Sequence, residues 1–290
     1  MDVHELLRRY NLRPSKGLAQ NLLISDWAYE RIVSASELTA DDHVLEIGPG
    51  LGTLTRRLAS SAGYVTAVEL DHRMVEVLQD TVGALPNVTI VEGDILRLRP
   101  QDLLRAGRDP SATYKVVANL PYYITSRVLR LLLTAAVRPA LLTLLVQKEV
   151  ADRVVAGPGE MSLLALSVQA CGAPRRVATV PASAFYPQPK VASAILSIRT
   201  YAQPLVPPAL EPCLYRIAHA AFGQRRKQLH NSLTANLPVE PVRIDEALET
   251  AGILPEQRPQ SLALADWVRL AELLCPHMHG STDAQARSTV

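Results

Sequence analysis

A glycine-rich turn and three strand-end acids are the residues of this chain best suited to bind a ligand. The turn is Gly48-Pro49-Gly50-Leu51-Gly52, and Glu46 stands just before it. Glycine is required where a backbone turns tightly and a ligand approaches closely. The GxGxG spacing differs from the GxGxxG of dinucleotide enzymes, and the Glu46 carboxylate would repel a pyrophosphate. It suits instead a cationic ligand, such as the amino group of S-adenosylmethionine.

Glu69 and Asp94 close the next two predicted strands. Glu69 lies about twenty residues beyond the first strand, where a carboxylate can accept both hydroxyls of a ribose. Asp94 is placed to accept from the exocyclic amine of an adenine ring. Leu70 and Ile95 follow these acids and are predicted to line the same site. Because open α/β sheets bind ligands at strand ends, we predict S-adenosylmethionine as the cofactor.

Asn119-Leu120-Pro121-Tyr122 closes the fourth predicted strand and suits methylation of an exocyclic amine. Such an amine is a poor nucleophile because its lone pair is delocalised into the ring. The Asn119 side-chain oxygen and the Leu120 backbone carbonyl can accept its hydrogens, and Pro121 fixes the turn. Tyr122 offers a stacking surface for the target base. The rate would come from positioning and oriented dipoles, without a side-chain nucleophile.

Phe185 is one of only two phenylalanines and lies in a proline-stiffened loop that ends at Lys190. A rigid loop that presents an aromatic ring could clamp the second face of a flipped base, as base-modifying enzymes need. We therefore include Phe185 with the catalytic residues. Packing of this ring in the core is the alternative.

The charge is nearly balanced over the whole chain but is uneven along it. There are 30 basic and 28 acidic residues, yet residues 161–239 hold eight Lys or Arg and one acid, Glu211. A cluster of this kind suggests a partner with a phosphate backbone. Arg225, Arg226, Lys227 and Lys190 are predicted to contact RNA. Cations at a helix end can also simply complement the helix dipole.

Strands and helices alternate through the first two hundred residues. The predicted strands are 43–48, 64–70, 88–91, 114–118, 141–146, 176–180 and 192–199. The predicted helices between them are 25–36, capped by Ser25, then 53–61, one capped by Asp71, and 124–136. This order predicts an α/β fold with a mostly parallel, doubly wound, Rossmann-like sheet, here that of an S-adenosylmethionine-dependent methyltransferase.

A change in composition marks a second domain. Four prolines between residues 203 and 212 predict a linker, and the predicted helices beyond it, 214–237, 243–251 and 264–274, have no strand between them. We predict a catalytic domain at 1–203 and a small all-helical RNA-binding domain at 204–278. The tail, 279–290, is polar and is expected to be disordered.

Some classes of protein are disfavoured by the sequence. Cys171, Cys213 and Cys275 are odd in number and widely spaced, which predicts no disulfide framework, no metal site and a reducing, cytoplasmic setting. The N-terminus lacks the pattern of a signal peptide. The richest apolar stretch, 128–146, is interrupted by Arg130, Arg138 and Pro139, so we expect no membrane span.

Taken together, the motifs resemble those of the ribosomal RNA adenine dimethyltransferases over roughly residues 16–274. They are Gln20-Asn21-Leu22-Leu23, Glu46-Ile47-Gly48-Pro49-Gly50-Leu51-Gly52, Glu69-Leu70-Asp71, Gly93-Asp94, Asn119-Leu120-Pro121-Tyr122, Gln147-Lys148-Glu149, residues 181–190 and Gln224-Arg225-Arg226-Lys227.

The resemblance implies a function and a set of contacts. The family transfers two methyl groups to each of two adjacent adenines in the 3′-terminal hairpin of small-subunit (16S) rRNA. It acts late in small-subunit assembly and works as a monomer. The residues here that match its cofactor contacts are Asn21, Leu23, Gly48, Glu69, Asp94 and Asn119.

The chain departs from the family pattern at two places. Leu18-Ala19 stands where the family usually has Phe or Leu followed by Gly, so an N-terminal flap would close differently. Leu163-Leu164-Ala165 stands where the family commonly has Tyr-Gly. Neither departure touches the methyl-transfer motifs.

Several other functions compete with this interpretation. One is methylation of large-subunit rRNA of the macrolide-resistance type, which shares the fold and the Asn-X-Pro-Tyr motif; the helical tail and Gln-Arg-Arg-Lys favour the small-subunit enzyme. Another is a non-catalytic assembly factor, which intact acidic and Asn-Leu-Pro-Tyr motifs disfavour. A DNA adenine methyltransferase would typically have Pro-Pro before the aromatic residue. A nicotinamide oxidoreductase is disfavoured by the glycine spacing.

Overall fold

The computed structural model describes residues 3–12, 14, 20–104, 113–224 and 226–278. The chain forms two compact units. The first comprises residues up to Val155 together with Gly172–Ala202, and the second comprises Ala156–Cys171 and the chain from Gln203 onwards. The sequence-based division ended the first domain at residue 203, but it assigned Ala156–Cys171 to that domain. Hydrophobic periodicity predicts a helix but not the element that it packs against. The assignment of Ala156–Cys171 to the second unit could therefore not be predicted from the sequence.

The first unit is built on strands that alternate with helices. Its strands are β1 (Leu22–Leu23), β2 (His43–Ile47), β3 (Tyr64–Glu69), β4 (Val88–Glu92), β5 (Lys115–Asn119), β6 (Leu141–Gln147), β7 (Gly172–Val180), β8 (Phe185–Tyr186) and β9 (Ser193–Thr200). Its helices are α1 (Val3–Arg9), α2 (Asp26–Ala35), α3 (Thr53–Ala59), α4 (His72–Val82), α5 (Thr125–Leu133) and α6 (Lys148–Val155).

Seven of these strands form one sheet, in the order β4-β3-β2-β5-β6-β9-β7. The five strands from β4 to β6 are parallel, and β9 and β7 are antiparallel to their neighbours. The buried, nearly continuous apolar runs of β2 and β6 are typical of strands covered on both faces. The predicted mostly parallel sheet is confirmed. Because β2 to β5 run in one direction, their carboxyl ends meet at one edge of the sheet.

Side-chain caps begin two of the helices that flank the sheet. Ser25 precedes α2 and accepts from the Ala28 N–H at 3.4 Å. Asp71 precedes α4 and accepts from the Arg73 N–H at 3.2 Å. These caps satisfy N–H groups that the first turn of a helix leaves without partners. Both caps were predicted from the sequence.

The second unit is helical in its described part. Its helices are α7 (Leu163–Cys171), α8 (Glu211–Phe222), α9 (Leu229–Asn236), α10 (Pro241–Ala251) and α11 (Leu264–Leu274). The single helix predicted over 214–237 is therefore wrong, since α8 ends before Gly223 and α9 begins six residues later. Gly223 favours a helix end because glycine loses the most backbone freedom in a helix. None of the described helices has the length and apolar character needed to span a bilayer.

A disulfide joins Cys213 of α8 to Cys275, just after α11. The expectation that the cysteines form no disulfide is therefore wrong. The two residues are 62 apart in sequence, but α8 and α11 pack against each other and bring them together. Spacing along the chain carries no information on this proximity.

Candidate active site

The glycine turn forms the floor of a cavity at the carboxyl edge of the sheet. Gly48, Gly50 and Gly52 have φ angles of 71°, 58° and 82°, and residues other than glycine rarely adopt positive φ angles of this kind. A Cβ atom on Gly52 would lie 2.9 Å from the Thr81 hydroxyl. The empty space of the cavity is about 850 Å³, a volume that includes the open solvent at its mouth.

Most of the predicted cofactor residues line this cavity. They are Asn21, Gly48, Gly50, Glu69, Leu70, Asp94, Ile95 and Asn119. Leu23 and Glu46 do not, and they line a smaller cavity below the turn. The structure thus brings together eight of the ten predicted positions at one place.

Glu69 is held in a fixed orientation by backbone N–H groups. Its Oε2 accepts from Gly50 at 3.1 Å, and its Oε1 accepts from Leu70 at 2.8 Å and Asp71 at 2.9 Å. Burial raises the pKa of Glu69, while these three donors oppose the rise. Each carboxylate oxygen has two lone-pair directions, so Oε2 keeps acceptor capacity for a ligand hydroxyl.

Asp94 begins the short 3-10 turn that follows β4. Its Oδ1 accepts from the Leu96 N–H at 3.0 Å, which caps that turn. Its Oδ2 lies 3.7 Å from the Arg97 guanidinium, and a third of the side chain is exposed. The carboxylate is thus oriented by its own turn and remains open to the cavity that it lines.

Glu46 is fully buried beneath the glycine turn. Neither carboxylate oxygen has a hydrogen-bond partner among the described residues. Burial raises the pKa of Glu46 to about 8, and the negative charge of Glu69 adds to the rise. The Thr55 hydroxyl opposes it, although its geometry falls short of a hydrogen bond. Burial therefore favours the protonated form of Glu46.

The Asn119-Leu120-Pro121-Tyr122 turn forms one wall of the larger cavity. Asn119 Nδ2 donates to the Asn21 backbone carbonyl at 3.2 Å, which leaves Oδ1 as the acceptor. Leu120 is buried, and its N–H donates to the Leu145 carbonyl. The Tyr122 hydroxyl forms a hydrogen bond with Ser193 Oγ at 3.0 Å. Hydrogen bonds to Asn21, to Leu145 of β6 and to Ser193 of β9 therefore hold this turn in place.

Phe185 does not lie where the base-clamping prediction required it. Its ring is 3% exposed and belongs to the core beside Leu23 and Tyr29, and it does not line the cavity. The reason is local pairing, because β8 pairs with β1 and sets Phe185 opposite Leu23. In a two-residue strand, neighbouring side chains face opposite ways, so Tyr186 is the exposed ring of this pair.

Tyr123 is a cavity residue that the sequence analysis missed. It is 59% exposed and lines the cavity next to Tyr122. The signal was present as a second aromatic residue directly after the Asn-Leu-Pro-Tyr motif. Gln20 is a second cavity residue that was not predicted, and its Nε2 donates to Asp71 Oδ2 at 3.1 Å.

The predicted RNA-contacting cations lie in two different units. Lys190 is exposed in the loop between β8 and β9 of the first unit. Arg226 and Lys227 are exposed between α8 and α9 of the second. Arg225 lies outside the described residues. The three described side chains are therefore accessible to solvent.

Known proteins similar to this chain were found by sequence and by structure. A family model described as ribosomal RNA adenine dimethylase matches residues 11–275. A ribosomal RNA small subunit methyltransferase A from Dehalococcoides mccartyi is 43% identical over 266 residues, which cover 92% of this chain and 90% of that protein. Its namesake from Moorella thermoacetica is 41% identical over 275 residues, covering 93% and 95%.

Two solved structures are similar over most of the chain. The 23S rRNA methyltransferase ErmE has a TM-score of 0.71 and 30% identity, covering 88% of this chain and 100% of that one. A dimethyladenosine transferase from Plasmodium falciparum has a TM-score of 0.74 at 24% identity, covering 88% and 98%. The second likeness shows the shared fold alone.

The sheet order and the cavity at the strand ends define the class of Rossmann-like, S-adenosylmethionine-dependent rRNA methyltransferases. The predicted fold class is thereby confirmed. Within that class, the chain belongs to the ribosomal RNA adenine dimethylase family.

Proposed function

We propose that the protein dimethylates the N6 amines of two adjacent adenines in the 3′-terminal hairpin of small-subunit rRNA, with S-adenosylmethionine as the methyl donor. The relatives that share about 40% of its residues are named small subunit methyltransferases. The observation that carries the proposal is the oriented Asn119 amide in the same cavity as Glu69 and Asp94.

The cavity residues suit S-adenosylmethionine. Glu69 offers a buried, prepositioned carboxylate to a ribose diol, and Asp94 offers an acceptor to the adenine amine. Glu46, predicted from the sequence to pair with a cationic amino group, is buried below the glycine turn and does not line this cavity, so the cofactor proposal rests on Glu69 and Asp94. When bound, the cofactor supplies an electrophilic methyl group on a sulfonium.

The turn at 119–122 would act on the target amine. Asn119 Oδ1 and the Leu120 carbonyl would accept its hydrogens and favour the pyramidal nitrogen, whose lone pair is then free to attack. The Tyr122 ring would stack on the base, and the Ser193 contact limits the positions of that ring. Because these groups are held before the substrate arrives, little reorganisation is needed in the transition state.

The assembling small subunit is the proposed partner, and the protein is proposed to act there as a monomer in the cytoplasm. These statements rest on the family resemblance. The odd number and wide spacing of the cysteines no longer support a reducing setting, because Cys213 and Cys275 form a disulfide. The proposed cytoplasmic location therefore depends on the proposed rRNA substrate.

Two other functions remain as outcomes of the test. The similarity to ErmE favours large-subunit rRNA as the second candidate substrate. The third possibility is a non-catalytic assembly factor. It requires that the cavity fail to bind S-adenosylmethionine, which calorimetry measures directly.

The test uses small subunits that lack the modification, purified protein and S-adenosylmethionine with a labelled methyl group. Primer extension across the 3′ end of the rRNA locates the product, because dimethylated adenine stops the polymerase. Parallel reactions with naked small-subunit rRNA and with large-subunit rRNA define the substrate. Stops at two adjacent adenines of the small subunit support the proposal. Label confined to large-subunit rRNA, or no label with any substrate, would overturn it.

A further inference from the structure

Three exposed side chains continue outward from the cavity along α5. Tyr123 lines the cavity mouth, and Arg127 and Arg130 follow at four and seven residues beyond it. Arg127 and Arg130, three residues apart, share one face of α5, and Tyr123 lies in the 3-10 turn that leads into this helix. All three are exposed, so together they form a continuous feature of the first unit, here called the α5 strip.

Two other exposed arginines in helices, Arg153 and Arg243, have acidic partners, unlike the arginines of the α5 strip. Arg153 pairs with Glu149 at 2.6 Å and Arg243 pairs with Glu246 at 2.8 Å, in each case within one helix. Within the described part of the chain, Arg127 and Arg130 have no acidic partner. The sequence contains no Asp or Glu at all from residue 113 to residue 147.

Arg127 is also placed where helix electrostatics do not favour it. It is the third residue of α5, and a cation in the first turn is opposed by the helix dipole. Arg130, in the last turn, is favoured by the same dipole and needs no further explanation. The 3-10 turn that carries Arg97 packs beside α5, and the Arg97 side chain is 87% exposed. Three cations therefore lie on this side of the cavity, and of them Arg97 is near the Asp94 carboxylate.

We propose that the α5 strip binds the RNA strand that flanks the target adenine. Tyr123 stacks on the neighbouring nucleotide, and Arg127 and Arg130 contact phosphates of the same strand. An exposed aromatic ring followed by cations is the combination that proteins use for single-stranded nucleic acid. A base that leaves its stack to enter a cavity also deprives its neighbour of a stacking partner, which a ring at the mouth can replace.

The α5 strip deepens the proposed function and rests on it, but its test is separable. The probes are an RNA hairpin with two adjacent adenines in its loop and a single-stranded RNA of about ten nucleotides, within the usual site sizes. Affinity is measured by fluorescence anisotropy over a range of salt. The variants are Tyr123→Ala, Tyr123→Phe and the double variant Arg127→Gln/Arg130→Gln, with Arg153→Gln as the matched control for loss of a helical arginine.

The double variant should weaken binding and lower the slope of log affinity against log salt by about 1.4, at about 0.7 per phosphate contact of a single strand. Tyr123→Ala should weaken binding about 5- to 150-fold, the range for removing one stacking platform, and Tyr123→Phe should restore it. A 2-aminopurine next to a target adenine should be quenched by wild type and Tyr123→Phe but not by Tyr123→Ala. The Arg153→Gln control should bind as wild type.

If the double variant has the same RNA affinity and the same salt slope as the Arg153→Gln control, the proposal that the α5 strip binds RNA is wrong. A wild-type protein that methylates small subunits while these variants bind normally would refute the strip and leave the proposed function intact. Conversely, a wild type that binds RNA through the strip but methylates no small subunit would refute the proposed function alone.

Discussion

Asn119 Nδ2 donates to the backbone carbonyl oxygen of Asn21 across 98 residues of sequence, at 3.2 Å. The amide nitrogen is thereby occupied, and Oδ1 is the atom that remains to accept from a target amine. Asn21 directly precedes β1, which pairs with β8. The orientation of the Asn119 amide is thus set by the fold before any substrate binds.

Replacing Asn119 should abolish most turnover. Asn119→Ala removes an oriented acceptor, a change that typically lowers rates by about 10²–10³. Cofactor affinity and RNA affinity should change much less than kcat. Single-turnover methyl transfer to small subunits, with calorimetry for cofactor binding, measures the two effects separately.

Asn87→Ala is the matched control for Asn119→Ala. Asn87 Nδ2 also donates to backbone carbonyls, those of Ala59 and Ala62, but it does not line the cavity. This variant should lose stability without losing rate. A normal rate in Asn119→Ala would mean that another group positions the amine.

Glu69→Gln should weaken cofactor binding about 10- to 100-fold. The change removes charge-assisted hydrogen bonds to the ribose, each worth roughly 1.5–3 kcal/mol. Glutamine retains one acceptor oxygen for the Leu70 and Asp71 N–H groups, so the loop is disturbed less than in Glu69→Ala. Calorimetric titration with S-adenosylmethionine is the measurement.

Glu92→Gln provides the comparison for Glu69→Gln. Glu92 lies opposite Glu69 in the β3–β4 pairing, but it is exposed and bonded to His72 rather than facing the cavity. The Glu92→Gln variant should bind the cofactor with the same affinity as wild type. If wild type, Glu69→Gln and Glu92→Gln all bind the cofactor with equal affinity, Glu69 does not bind the ribose.

The sequence was sufficient to predict the sheet because its signals are local. The apolar runs of β2, β3 and β6 were predicted to within one residue at either end, since a strand covered on both faces is mostly apolar. The strand-end acids were predicted for the same reason, as each interrupts an apolar run where the chain reaches the sheet edge. Local patterns were enough for both.

Three features that were not predicted from the sequence depend on contacts between distant segments. Burial of Phe185 requires β8 to pair with β1, a partner more than 160 residues earlier. The disulfide requires α8 to pack on α11. The assignment of Ala156–Cys171 to the second unit depends on the contacts of α7 within that unit. Neither hydrophobic period nor residue type encodes such proximity, so these points could be settled only by the fold.

Buried Glu46 should make stability dependent on pH. Its pKa is about 8 in the folded protein and 4.5 ordinarily, so between these values the folded chain holds a proton that the unfolded chain has lost. The free energy of unfolding therefore falls as pH rises through this window, by at most about 1.4 kcal/mol per pH unit, and levels off above pH 8. Glu46→Gln should flatten the profile.

Thermal melts from pH 5 to pH 9 compare wild type, Glu46→Gln and Glu160→Gln, the last an exposed carboxyl. The control should follow the wild-type curve. Parallel curves for wild type and Glu46→Gln would show that the folded protein keeps Glu46 ionised.

Neutralising Arg226 and Lys227 should weaken RNA binding without changing cofactor affinity. If both contact phosphates, the slope of log affinity against log salt should fall by about 1.4 for single-stranded RNA. The triple variant with Arg225→Gln extends the test to the position outside the described residues. Arg243→Gln, which loses only its pair with Glu246, is the control.

The alternative for these cations is support of the small helical domain. In that case the melting temperature of the double variant would fall while the salt slope stayed as in wild type. Measuring both on one preparation separates the two roles.

Reduction of the disulfide between Cys213 and Cys275 should destabilise the second unit. A link across 62 residues restricts the unfolded chain, and the chain-entropy model gives a stabilisation of about 4 kcal/mol, near the upper end of measured effects. The oxidised protein should melt at a higher temperature than the protein in reductant. The double variant Cys213→Ser/Cys275→Ser should melt like reduced wild type and ignore the reductant. If oxidised wild type melts no higher than this variant, the link contributes no stability, and packing of α8 against α11 alone holds the two helices together.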